Sequence, residues 1–242
     1  MRTRAPSADS AANHLLRALT PADYAGLTPT LTRVTLLAGD VISNPRQQSA
    51  QVYFPETAVL SLVIVMADGA GVEAATVGNE GMAGLASYLG DGAMTTRCLV
   101  QISGVAQRTP AAGLVLAIAA SAAFDATVRR YTQVFINQIA QSVACNRLHN
   151  IDQRCARWLL MSQDRIGGGN AFDLTQEFLS YMLGVRRESV SAASHALQDR
   201  GIIRYRRGHI TVLDRPALER AACECYDATR AEYTRLYGYV TQ

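Results

Sequence analysis

The 242-residue sequence predicts an α+β chain, in which an N-terminal antiparallel roll of short strands leads through one long helix to a C-terminal pair of helices and a hairpin. Three observations carry that expectation. Between Leu31 and Arg108, short runs rich in β-branched and aromatic residues are cut by glycine turns. An apolar stripe at helical spacing then extends from about Ser121 towards Asn150 with no proline in it. Residues 173–213 set two short helical patterns about a single glycine and follow them with two strand-like runs flanking Arg206-Arg207-Gly208.

In chain order, Asn13 to Leu19 and the Pro21-Ala22-Asp23 segment read as short helices. The strands Val52 to Phe54 and Val59 to Met66 lie among the turns Gly39-Asp40, Asp68-Gly69, Gly78 and Gly90-Asp91-Gly92, the pattern of an antiparallel roll or barrel. The long helix carries Phe124, Val128, Tyr131, Phe135, Gln138 and Ser142 on one stripe. Such a stripe buries itself either on a parallel copy of the chain or on its own roll. Helical pattern resumes from Asp152 to Ile166 and stops at Gly167-Gly168-Gly169-Asn170. The expected division is a roll over 1–120, a central helix over 121–151 and a C-terminal domain over 152–242.

Composition narrows the chemistry. At 49% hydrophobic and 18% charged, the chain folds rather than staying disordered. All 23 cationic residues are arginine, which excludes Schiff-base and phosphate-loop lysines. The uncharged run Thr109 to Phe124, which no other exceeds, is broken by Pro110 and Gly113 and is shorter than the ~20 apolar residues of a membrane span. With no apolar leader pattern and an odd set of five cysteines, a cytoplasmic protein with reduced thiols is expected. Residues 1–120 hold seven Arg against eight acids, and residues 121–242 hold sixteen against twelve, so the C-terminal half is the one suited to a polyanion.

Within 173–213, Thr175 is placed to cap a helix whose inward residues are Phe178, Leu179, Met182 and Leu183, and Gly184 closes it. A second helix starts near Arg186, with Val190, Ala193 and Leu197 on one side and Arg187, Glu188, Ser191, Ala192 and His195 on the other. Ile202 to Tyr205 and His209 to Leu213 then form a basic wing. Helix, glycine turn, polar second helix and basic hairpin occur in the order of a winged helix-turn-helix, whose second helix enters the major groove.

The stretch from Leu174-Thr175-Gln176-Glu177 through Gly184-Val185-Arg186-Arg187-Glu188-Ser189-Val190-Ser191, with Gly201-Ile202-Ile203 through Val212 behind it, resembles the DNA-binding region of the Crp/Fnr transcription regulators. The order of roll, long helix and winged helix is similar over about residues 10 to 220. The resemblance implies a cyclic-nucleotide-binding-like roll, a homodimer built on the central helix, double-stranded DNA as ligand and RNA polymerase as protein partner. It places Arg187 and Glu188 on base-reading positions, with Ser191 and Ala192 beside them. Arginine donates twice to guanine and a carboxylate accepts from cytosine, which suits a half-site containing G·C. Many relatives carry a second arginine where this chain has Ala192, so its half-site should differ, with Ala192 available to a thymine methyl. Thr175, Arg186, Ser189, Arg204, Arg206 and Arg207 are the expected backbone contacts.

In cyclic-nucleotide-binding relatives, a Gly-Glu turn holds the ribose and an Arg-Ser pair holds the phosphate. Here Glu80 and Gly81 match the turn and Arg97 is the nearest arginine, without the serine, so these three form the candidate effector pocket. No cysteine precedes Cys98, unlike in the relatives with an iron–sulfur cluster. Cys145 and His149, four apart on a helix, with Cys155 next, are a conceivable metal trio that buried structural thiols explain better. Cys223 and Cys225 would point apart on a helix. No metal, cofactor or catalytic residue is assigned. The competing reading is a small-ligand protein whose C-terminal domain meets a protein; an enzyme is not supported, because no nucleophile–base pair can be named.

Overall fold

A computed structural model describes residue 8 and residues 11–237. Helices α1 (His14–Arg17) and α2 (Pro21–Leu27) precede strands β1 (Thr32–Leu36), β2 (Val41–Ser43), β3 (Gln51–Pro55), β4 (Val59–Val65) and β5 (Gly71–Val77). Helix α3 (Ala86–Leu89), strands β6 (Arg97–Ile102) and β7 (Gly104–Pro110) and helix α4 (Ala111–Ala120) follow, and then the long helix α5 (Ala122–Leu148). The strands form two antiparallel sheets, ordered β1-β7-β3 and β2-β6-β4-β5. Alternation sends Leu36, Phe54 and Ala106 of the first sheet and Leu60, Ala75 and Val100 of the second into one shared core.

Ser121 caps α5 by accepting from the Phe124 N–H. The stripe Phe124, Val128, Tyr131 and Phe135 enters the core of the chain's own roll, and Gln138 continues it by donating to the Thr76 carbonyl. The self-pairing alternative for that stripe is therefore corrected, because the roll already covers it. A different face is open. Arg129, Gln133, Ile136, Ala140, Val143 and Arg147 are all exposed, at alternating spacings of four and three.

Helix α6 (Ile151–Arg165) turns the chain into the C-terminal half, which comprises β8 (Ala171–Asp173), α7 (Gln176–Leu183), α8 (Arg187–Asp199), β9 (Ile203–Arg206), β10 (His209–Val212), α9 (Arg215–Ala221) and α10 (Cys225–Tyr237). Its core joins Leu159 and Leu160 of α6 with Leu179, Val190, Leu197 and Ile210. The same core takes in Val59, Val63, Leu99 and Ile102 from the outer side of the four-stranded sheet, so α6 is common ground between the halves. No single described helix is long and apolar enough to cross a membrane; α4 and α5 reach the length together but are bent by 117°.

Two features differ from expectation. The glycines after α6 turn the chain through left-handed backbone at Gly167 and Gly168 into β8, a third strand that pairs with β10. Cys223 and Cys225 do not share a helix: Cys223 lies in the loop before α10 and Cys225 opens it, so their side chains are free to converge.

Candidate nucleic-acid interface

Thr175 adopts extended backbone, and its hydroxyl accepts from the Phe178 N–H at 3.1 Å, which starts α7. Glu177 in the first turn suits the positive end of the helix. Gly184 ends α7 in the left-handed region (φ +63°), and the Val185 N–H returns to the Ser180 carbonyl at 3.1 Å, a Schellman closure. A side chain is doubly unwelcome there, since a Cβ would also come within 3.2 Å of Val72 on β5.

The chain then enters α8 through Arg186, whose side chain makes no capping bond. Val190, Ala193, Ser194 and Leu197 are buried on the inner face. Arg187, Glu188, Ala192 and His195 are exposed on the outer face, with Ser189 and Ser191 half-buried beside them.

The wing is pinned to these helices at several points. Arg206 pairs with His209 across a two-residue turn, and both turn residues have positive φ, Arg207 at +52° and Gly208 at +79°. The Tyr205 N–H donates to Gln198 Oε1 at 2.9 Å, and the Tyr205 hydroxyl donates to the Leu174 carbonyl at 2.9 Å. The Leu174 N–H donates to the Gly208 carbonyl at 2.7 Å. The result is a concavity of about 480 Å³ lined by Thr175, Gln176, Arg187, His195, Tyr205 and Arg207 among others. Thr175, Arg187 and Arg207 are thereby brought together. Gln176, Tyr205 and Gln198 join them unanticipated; only their three-dimensional convergence marks them.

Arg186, Arg187, Arg204, Arg206 and Arg207 are all exposed, and among the described residues none of the five has an ion pair or side-chain hydrogen bond within the chain. Several arginines elsewhere are engaged, Arg165 with Glu80 at 2.9 Å, Arg215 with Asp164 at 2.6 Å and Arg129 with Asp125 at 2.6 Å. Arg46, Arg147, Arg200 and Arg220 are also exposed without an ion pair among the described residues, but they are scattered along the chain, whereas these five fall together on α8 and its wing.

The residues of the candidate effector pocket are placed differently. Glu80 is 1% exposed; its carboxylate accepts from the Gly78 N–H and pairs with Arg165 of α6. The Tyr131 ring closes over Gly81 so tightly that a Cβ would run into it. Arg97 sits half-buried on β6 opposite Val63, with its Nε enclosed and unpartnered. The cavity beside Glu80 is about 10 Å³, room for no more than a single water.

The geometry is that of a winged helix-turn-helix protein with an antiparallel roll. Residues 153–221 match the family model of the Crp-like helix-turn-helix domain. No curated protein matches the chain in sequence. Among known structures, it is similar to a transcriptional regulator of the Crp/Fnr family from Eubacterium rectale, with 20% identity, 86% of this chain and 96% of the other covered, and a TM-score of 0.65. It is also similar to FixK2 from Bradyrhizobium japonicum, at 17% identity, 80% and 98% coverage and a TM-score of 0.68. A third is a CRP-family transcriptional regulator from Thermus thermophilus, at 20% identity, 79% and 96% coverage and a TM-score of 0.64. These structural likenesses show the fold over 79–86% of the chain. Residues 153–221 thus carry a Crp-like helix-turn-helix domain, set in a fold shared with these Crp/Fnr regulator structures.

Proposed function

We propose that the chain acts in the cytoplasm as a homodimer on a two-fold related DNA site, each protomer laying α8 in a major groove. Arg187 and Glu188 read base edges there, with Ser191 and Ala192 against the neighbouring pair. Thr175, Arg186, Ser189, Arg204, Arg206 and Arg207 hold the sugar–phosphate backbone and set the register. The observation that carries this reading is the group of five exposed arginines without a partner in the chain, all on the helix and wing that the fold offers to DNA. Dimerisation uses the open face of α5, where Ile136 and Val143 are 57% and 67% exposed at coiled-coil spacing with Ala140 between them. RNA polymerase is the protein that such a regulator would contact once bound beside a promoter.

Selection of bound duplexes from a random pool tests the reading directly, and a palindromic consensus is expected. Affinity for it should fall steeply with salt as phosphate counterions are released. Arg187→Ala should relax preference at one base pair of each half-site by ~1–3 kcal/mol, whereas Arg206→Ala should weaken all duplexes alike and flatten the salt slope by about one. An Arg187→Ala protein that loses affinity uniformly removes Arg187 from the base-reading set.

A further inference from the structure

Away from the DNA-facing groove, four metal-binding side chains meet at one point. Cys145 near the end of α5, His149 at its C-cap, Cys223 in the loop before α10 and Cys225 at its first residue hold their ligand atoms within 4.8 Å of one another. Cys145 Sγ is 3.5 Å from Cys223 Sγ, and Cys225 Sγ is 3.5 Å from His149 Nδ1. Around one tetrahedral ion with Zn–S of ~2.3 Å and Zn–N of ~2.0 Å, thiolates lie ~3.8 Å apart and thiolate and imidazole lie ~3.5 Å apart. A disulfide would need its sulfurs at ~2.05 Å. An iron–sulfur cluster spreads its four cysteines over two or more irons and needs a wider ring of sulfurs than this.

The surroundings are those of ligands oriented in advance. All three cysteines are buried. The His149 side chain is 13% exposed, with Nε2 3.1 Å from the Glu224 carboxylate, a contact that places the proton on Nε2 and leaves Nδ1 as the ligand nitrogen. Gln141 Nε2 donates to Cys225 Sγ at 3.0 Å, steadying a second ligand. Arg154 and Arg157 of α6 lie near enough to act on the charge of Cys145 and balance the net negative charge of three thiolates on one dication. Cys155, the third member of the trio that sequence spacing offers, belongs to the core of the C-terminal half instead.

We propose that Cys145, His149, Cys223 and Cys225 bind one zinc ion as a closed Cys₃His site that fastens α10 to the central helix. Four protein ligands leave no position for a substrate, so the site is structural. Binding exchanges three thiol protons to solvent for one divalent ion and involves no electron transfer. The clip spans 80 residues of sequence between Cys145 and Cys225, and the strip it anchors continues along α5 through the bonds from Asn137 to Glu232 and from Tyr233 to Gln138.

The full chain, purified under reducing conditions without chelator, is expected to carry about one zinc per protomer by elemental analysis. Replacement with Co(II) should give the intense visible bands of a tetrahedral site and a near-ultraviolet thiolate charge-transfer band. Cys145→Ser and Cys223→Ser should each reduce bound zinc to below about a tenth per chain, while Cys98→Ala and Cys155→Ala, in other cores, should retain it. A metal-free protein that gives no tetrahedral cobalt spectrum overturns the proposal. So does an iron–sulfur chromophore, or a Cys145–Cys223 disulfide recovered from protein kept reduced. If the serine variants do not fold, the cobalt titration of the unaltered chain decides alone.

Discussion

At the scale of single residues, Glu73 shows how closely the halves are joined. Its carboxylate lies 2.5 Å from Ser61 Oγ and 2.8 Å from Thr76 Oγ1, and it accepts from Trp158 Nε1 of α6 at 3.1 Å. Ser61 Oγ is also 2.7 Å from Gln101 Oε1, while Gln101 Nε2 donates to Ser162. One hydroxyl proton cannot serve two acceptors, so the network is complete when Glu73 is the protonated partner. Burial pushes the Glu73 pKa up, outweighing the hydrogen bonds from Ser61 and Thr76 and the nearby Arg157 and Arg165. A carboxyl raised on folding imposes an ionisation cost on the native state that is absent below its ordinary pKa and full above its raised one. Glu73→Gln should therefore raise the melting temperature at about pH 8, with the gain fading towards about pH 4. A gain that grows on acidification would show that the carboxylate, not the acid, is the native form. Glu80 is held by a charge instead: its partner is a buried guanidinium that also donates to the Met161 carbonyl. Glu80→Ala should cost ~3–5 kcal/mol in denaturant unfolding by leaving that charge alone. The sequence marks Glu80 as noteworthy through its turn, but Arg165 is 85 residues away and no local pattern joins them.

At the scale of elements, legibility follows the range of the signal. The helix-turn-helix is readable because its signals are local: a capping hydroxyl at Thr175, left-handed backbone at Gly184, and a burial period that separates Val190 and Leu197 from Arg187 and Glu188. Gly184→Ala should lower stability by ~1–2 kcal/mol, through the left-handed backbone and the contact with Val72, and should lower DNA affinity only through the smaller folded fraction. Strand β8 is three residues long, too short for any alternation to announce it. Helix α5 is legible as a helix but not in its orientation, because two faces carry apolar residues and only the roll decides which is covered. Ile136→Glu with Val143→Glu should leave the fold intact and shift sedimentation equilibrium to the monomer; a dimer that persists would move the interface elsewhere.

For the whole molecule, the distinction between roll and DNA-binding unit is weaker in packing than in topology. Helix α6 shares one core with the outer side of the four-stranded sheet, and the β4–β5 hairpin reaches the helix-turn-helix, where Gly71 lies under the Tyr181 ring so closely that a side chain would displace it. Calorimetry should accordingly find one cooperative transition with coincident changes in near- and far-ultraviolet dichroism. Two resolved transitions would mean that the shared helix does not couple the halves. The convergence of Cys145 with Cys223 belongs to this scale too. The thiols lie 78 residues apart, and spacing alone directs attention to Cys155.

The backbone at the wing's tip has one further consequence. Arg207 occupies a conformation that glycine would adopt freely and an L-residue enters at a cost of ~1 kcal/mol. Arg207→Gly should melt higher and grip any duplex less firmly, so heat resistance and operator occupancy would favour different residues at this single position.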